Sequence, residues 1–147
     1  MEVQILYFDT KHAIEVHDWI IEKTGGLHGQ REIHLLDSAL EHIQNDMYYP
    51  TFNEKLKHLV YAINKFHPFS DGNKRSSLTL GAYFLELNGY DYCVDKFVIE
   101  MENIVVWLAE GKIKDDLLLE LITSIIEEDE YSESLKMKLL EAITEYE

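Results

Sequence analysis

The chain has 147 residues, 46% of them apolar and only two of them proline, which suits one domain with its own core and argues against disorder. Its formal net charge of −15 excludes a general affinity for nucleic acid, whose phosphates need a basic face. The one cysteine, Cys93, excludes an intrachain disulfide and a thiolate zinc cluster, and no run is long and apolar enough to span a bilayer.

Taken in chain order, Val3 to Phe8 reads as a short extended segment. Asp9 or Thr10 can cap a helix over about residues 11–23, with Ala13, Ile14, Val16, Trp19, Ile20 and Ile21 on its buried face. Gly25-Gly26 stops it. A second helix covers about 32–44 on Leu35, Leu36, Ala39, Leu40 and Ile43. The polar and aromatic break from Asn45 to Phe52 admits at most a small hairpin. Leu56, Leu59, Val60 and Ile63 predict a third helix over 53–66, ended by Pro68 because the residue before proline avoids the α region. The helix predicted over 72–87 is apolar nearly all round through Leu78, Leu80, Ala82, Phe84 and Leu85, so it is expected at the centre. Asn88-Gly89 closes it. Asp95 is expected to cap a helix to Glu110, a further helix covers 115–128, and Ser132 or Ser134 starts a last one on Leu135, Leu139, Leu140 and Ile143. The fold class is all-α. The first residues, Met1 to Gln4, carry neither a basic n-region nor an apolar h-region, so a cytoplasmic protein is expected.

Charge is uneven. Lys55, Lys57, Lys65, Lys74 and Arg75 make residues 53–75 basic, whereas the chain from Asp115 onward is acidic. A basic island in an acidic protein suggests a small anionic ligand; Lys55 and Lys57 themselves read as solvated helix residues. Within the island the string His67-Pro68-Phe69-Ser70-Asp71-Gly72-Asn73-Lys74-Arg75 joins several chemistries. A helix N-terminus presents free N–H groups to phosphate. Gly72 lets a ligand approach the backbone. Asp71 can hold Mg²⁺, which takes a carboxylate or two plus phosphate oxygens. Lys74 and Arg75 can neutralise phosphoryl oxygens. The His67 imidazole can take a proton from an attacking hydroxyl. Each polar residue alone has an ordinary structural reading; Phe69 reads as a core anchor. Together they make a phosphoryl-transfer set.

This string resembles the signature of the Fic/Doc family, His-x-Phe-x-(Asp/Glu)-Gly-Asn-x-Arg, in every fixed position, and is closest to the Doc (death-on-curing) branch, in which lysine precedes the arginine. His17-Asp18, Gly25-Gly26, the run from Leu35 to Leu40, Tyr49-Pro50, the run from Phe84 to Tyr90 and Ala109-Glu110-Gly111 extend the resemblance over about residues 4–126. It implies a Fido-fold helical bundle around the helix that follows the motif, with residues 1–128 as the domain and 129–147 as an acidic helical extension. It implies His67 as general base toward a Ser, Thr or Tyr hydroxyl of a target protein and Asp71 as the Mg²⁺ ligand. The amides around Gly72 and Asn73 would form an anion hole for ATP, with the Asn73 side chain steadying the nucleotide and Arg75 gripping phosphates. Gln44–Phe52 would be a flap that clamps the target.

Two departures separate this chain from the AMP-transferring members. They carry glycine where Lys74 stands and a second arginine where Leu78 stands. Both changes are Doc-like. They imply a reversed ATP whose γ-phosphate faces His67, hence a protein kinase; the family precedent is a toxin acting on elongation factor Tu and silenced by a partner antitoxin. Gly72, where some Doc proteins have alanine, keeps AMP transfer (AMPylation) as the alternative, beside a non-catalytic Fido-fold regulator. The segment Thr123 to Glu127 only partly matches the family's inhibitory helix, so inhibition by another chain is expected. A phosphohydrolase built on His17-Asp18 lacks further metal ligands at the right spacing; His17 reads as a packed structural residue. The spacing of Arg31 and His34 does not suit an RNase toxin.

Overall fold

The computed structural model describes residues 4–144, so Val3 and the last three residues of the expected acidic extension lie outside it. Among the described residues there are seven α-helices and no strand: α1 (Thr10–Thr24), α2 (Ile33–His42), α3 (Phe52–Phe66), α4 (Asn73–Leu87), α5 (Val94–Ala109), α6 (Asp115–Glu127) and α7 (Glu133–Ile143). The all-α expectation holds. None of these helices is long and apolar enough to cross a membrane.

The caps explain the starts. The Asp9 side chain accepts from His12 N and opens α1; Thr51 does the same from Glu54 N for α3, and Ser132 from Leu135 N for α7. Asp95 is not a cap: a 3₁₀ turn over Asp91–Cys93 runs directly into α5 and leaves Asp95 in the first helical turn. The extended segment ahead of α1 is tied down by one amide. Leu6 N donates to Asn88 Oδ1, and Asn88 Nδ2 donates back to Leu6 O.

α3 and α4 pack on each other at the centre. α3 also meets α2, α5 and α6, while α4 meets α1 and α5. Leu56, Leu59, Val60, Ile63, Leu80, Phe84 and Leu85 are fully buried between them and their neighbours. Gly81 belongs to this packing, since a Cβ there would sit 2.8 Å from Phe97 Cζ. α7 rests on α6 through buried Leu135, with Lys138 paired to Glu120 at 2.8 Å.

Besides the Asp95 cap, three expectations fail. Trp19 is 56% exposed rather than on the buried face of α1. Lys55 and Lys57 are not solvated: Lys55 is fully buried, its ammonium donating to Ile43 O and Asp46 Oδ1, and Lys57 is buried against Asp115 at 2.8 Å. The admitted hairpin over residues 45–52 does not form. Asn45 instead organises stacked turns, its carbonyl accepting from Tyr48 N and Tyr49 N and its side chain from Met47 N, while Lys55 staples the segment to α3.

Candidate active site

The motif loop is fixed from below and from one side. The Phe69 ring is fully buried and stacks on His17 at 3.9 Å between centroids, with the planes 5° apart. Truncating such a ring costs about 3–5 kcal/mol. His17 is itself buried, and its Nε2–H donates to Asp71 O at 2.7 Å. Segment 29–32 supplies the lateral hold: Arg31 N and Glu32 N donate to Pro68 O, and Ser70 N donates to Gly29 O. The Asn73 side chain closes the loop from inside, accepting from Phe69 N and donating to Phe69 O. Both ends of its amide are therefore taken up by the loop.

This frame presents His67 in an unusual backbone state. His67 is the C-cap of α3 at φ 49°, ψ 61°, the only non-glycine residue with positive φ among those described, and its side chain is exposed. A left-handed non-glycine residue costs about 1–2 kcal/mol and is held only where the surroundings fix it. Gly72 caps α4 at φ 76° with no side-chain cap, so the amides of Asn73, Lys74 and Arg75 precede the first helical bond, from Ser76 N to Gly72 O. A Cβ on Gly72 would lie 3.1 Å from Ile21 Cδ1.

His67, Asp71, Gly72, Asn73 and Lys74 line one cavity of about 170 Å³, together with Asn64, Ser70 and Ala109. That volume is below the usual range of about 300–1,000 Å³ for whole-ligand pockets, so it suits the phosphate end of a ligand. Asn64 is a member the sequence did not reveal. It is buried, its Nδ2 donates to Val60 O, and its Oδ1 finds no partner among the described residues.

Arg75 is not brought to this cavity. Its guanidinium donates to Thr24 Oγ1 and, at 2.8 Å, to Gly25 O at the C-terminus of α1, with Nη2 3.7 Å from Asp71 Oδ1. The Asp71 carboxylate meets the same segment: Leu27 N donates to Oδ2 at 3.0 Å and Gly72 N to Oδ1 at 2.8 Å. Those backbone donors, Leu27 first, hold the Asp71 carboxyl below the usual carboxylate range, with smaller help from Arg75 and His17. It is ionised at neutral pH, and each oxygen keeps a lone pair. Gly26 is required beside it, since a Cβ would come within 2.6 Å of Asp71 Oδ2. Segment 24–27 thus orients both Asp71 and Arg75.

No group of three or more His, Cys, Asp or Glu side chains able to hold a metal exists among the described residues. A lone carboxylate beside helix N-terminal amides that can take an anion fits Mg²⁺, which keeps most of its shell as water and ligand oxygens. Comparison with curated proteins returned no match. The model of the Fic/Doc family matches residues 7–85, a stretch that takes in α1 to α3, the motif loop, most of α4 and His17. The chain belongs to the Fic/Doc family.

Proposed function

We propose that the protein transfers the γ-phosphate of ATP to a hydroxyl of a target protein, in the manner of the Doc branch. The observation that carries this reading is the lining of the motif cavity. Lys74 lines it beside His67 and the first amides of α4. A long cationic side chain there crowds an α-phosphate that needs bare backbone, but it suits the terminal phosphates of a reversed nucleotide. Leu78, one turn on from Lys74, offers no charge to support the opposite pose.

The residues divide the work by position. His67, at the mouth of the cavity, takes the proton of the attacking hydroxyl. The amides at the start of α4 and the Lys74 ammonium stabilise charge on the transferred phosphoryl oxygens. Asp71 would hold Mg²⁺, which when bound shields the phosphate charge. Arg75 reaches the phosphates only by leaving Thr24 and Gly25. The Doc resemblance further supports a toxin held by a partner antitoxin.

Transfer of AMP is the second reading, and Gly72 favours it: its left-handed backbone and lack of Cβ leave the phosphate cradle as open as AMP-transferring relatives keep it. Intact-mass analysis of a lysate treated with protein, ATP and Mg²⁺ separates the readings. A defined protein should gain one phosphate; a gain of one AMP supports the second reading, and no gain leaves a regulator without turnover.

A further inference from the structure

A second and larger cavity, of about 720 Å³, lies on α3 away from the motif, walled by Tyr48, Tyr49, Lys57, His58, Tyr61 and Asp115 among others. Its size is that of a specific binding site. Two observations connect it with His67. Lys57 lines this cavity and Asn64 lines the motif cavity. Seven residues apart, they share one face of α3 at a separation of about 10 Å. Across from α3, both cavities are bounded by one short stretch of chain, Ala109 beside the motif and Asp115 beside the larger cavity.

A chain of ring contacts starts in the wall of the larger cavity. Tyr49 lies 4.7 Å from His58, His58 6.4 Å from Tyr61, and Tyr61 packs edge-on against Phe66 at 6.3 Å. Phe66 immediately precedes His67 and is 38% exposed; Tyr48 in the cavity wall is 76% exposed, and Met47, next to it in the chain, 90%. Three tyrosines in the wall of a pocket whose Lys57 and Asp115 are paired with each other match the aromatic enrichment of protein interfaces. Lys57 is spent on Asp115. Burial, with repulsion from Lys57, pushes His58 down to about 4, so its imidazole is neutral at physiological pH. A charged side chain would find no free counter-charge here; an uncharged one with an apolar body would be covered on several sides.

We propose that this cavity is the anchor pocket for the protein segment that presents its hydroxyl to His67, taking one uncharged aromatic or long aliphatic side chain. Tyr61 and Lys57 lie six and ten residues before His67, about 9–15 Å along the helix axis. An extended segment covers that span in about three to five residues. The occupant is a polypeptide because exposed Met47 and Tyr48 extend the apolar surface beyond the cavity, where a nucleotide base would leave them uncovered. The assignment rests on the reading of the motif as a protein-modifying site, and it names the feature by which that site selects its target.

The test is a displayed library of twelve-residue random peptides panned on the full chain carrying His67→Ala. Enriched peptides should share Phe, Tyr, Leu or Met three to five positions from a Ser, Thr or Tyr. Their affinity should fall at least tenfold on Tyr61→Ala and hold on Tyr61→Phe, which keeps the ring. Enrichment without that spacing, or no enrichment over a blank support, overturns the proposal. So does a tenfold loss of ATP affinity in Tyr61→Ala, which would make the cavity a base subsite. If anchored peptides bind but the wild-type chain transfers nothing to them from ATP, the docking pocket stands and the kinase reading fails.

Discussion

Nε2 of His17 sits 2.7 Å from the carbonyl oxygen of Asp71, a contact made across 54 residues. A carbonyl only accepts, so the ring must carry its proton on Nε2. The same ring stacks on Phe69. His17 thereby fixes two points of the motif loop without lining the cavity, which makes it a positioning residue. His17→Phe keeps the stack and removes the donor. It should cost about 1–3 kcal/mol for the orphaned carbonyl. It should also lower kcat for protein labelling at least tenfold, and His17→Gln should recover part of the loss. Near-native kcat in His17→Phe would leave His17 a packing residue only.

His67 should separate stability from activity. Its left-handed backbone is strained for any side chain and relaxed for glycine. His67→Gly should melt at or above the wild-type temperature while transfer falls about 10²–10⁴-fold, the usual loss on removing a general base. Calorimetry and a labelling assay on the same preparation check both halves. A clear drop in melting temperature would show that the imidazole holds the loop together.

His58 should make stability depend on pH. Its folded value, about 4, lies below the ordinary value of 6.5, with burial the main cause; Lys57 and His42 push the same way and Asp115 opposes them. The unfolded chain then binds more protons between those values, so stability is complete above about pH 6.5 and declines as pH falls toward 4. The full shift corresponds to about 3 kcal/mol, and solvent at a half-buried ring should reduce it to about 1–2 kcal/mol. Denaturant melts at both ends of the window should show the decline, and His58→Phe should flatten it.

Much of this was legible in the sequence, and the failures have physical reasons. Leu56, Leu59, Val60 and Ile63 repeat with the helical period, and the motif loop carries its chemistry in adjacent residues, so α3, α4 and the motif's share of the cavity lining could be read directly, whereas Asn64 and Ala109 could not. Trp19 also falls on the period of α1, but periodicity marks a stripe and not how widely other elements cover it. Lys55 and Lys57 are buried by partners elsewhere, the Ile43 carbonyl, Asp46 and Asp115, which no local pattern announces. The hold of segment 24–27 on Asp71 and Arg75 is made partly by main-chain groups, which leave no side-chain signature. Tyr49, His58 and Tyr61 were spaced too irregularly to read as one surface before the turns at 45–49 folded against α3.

The C-terminal helices should not inhibit the site. Asn53 Nδ2 donates to Glu127 Oε2 at 2.8 Å and lies 3.5 Å from Thr123 Oγ1. Asn53 opens α3, about 20 Å along the helix from His67. Glu127 is therefore engaged at the end of α3 remote from the motif. Deleting residues 130–147 should cost stability, because Leu135 is buried against α6, and should leave the labelling rate no higher than wild type. A severalfold gain would identify the tail as a built-in inhibitor.

The phosphoryl-transfer assignment meets its most direct test in two parallel reactions with a cell lysate, one with ATP labelled at the α-phosphate and one at the γ-phosphate, each run with the wild-type chain and with His67→Ala. A defined protein should take label from the γ position only, and His67→Ala should take none. Label from the α position alone would contradict γ-phosphate transfer and establish AMP transfer in its place.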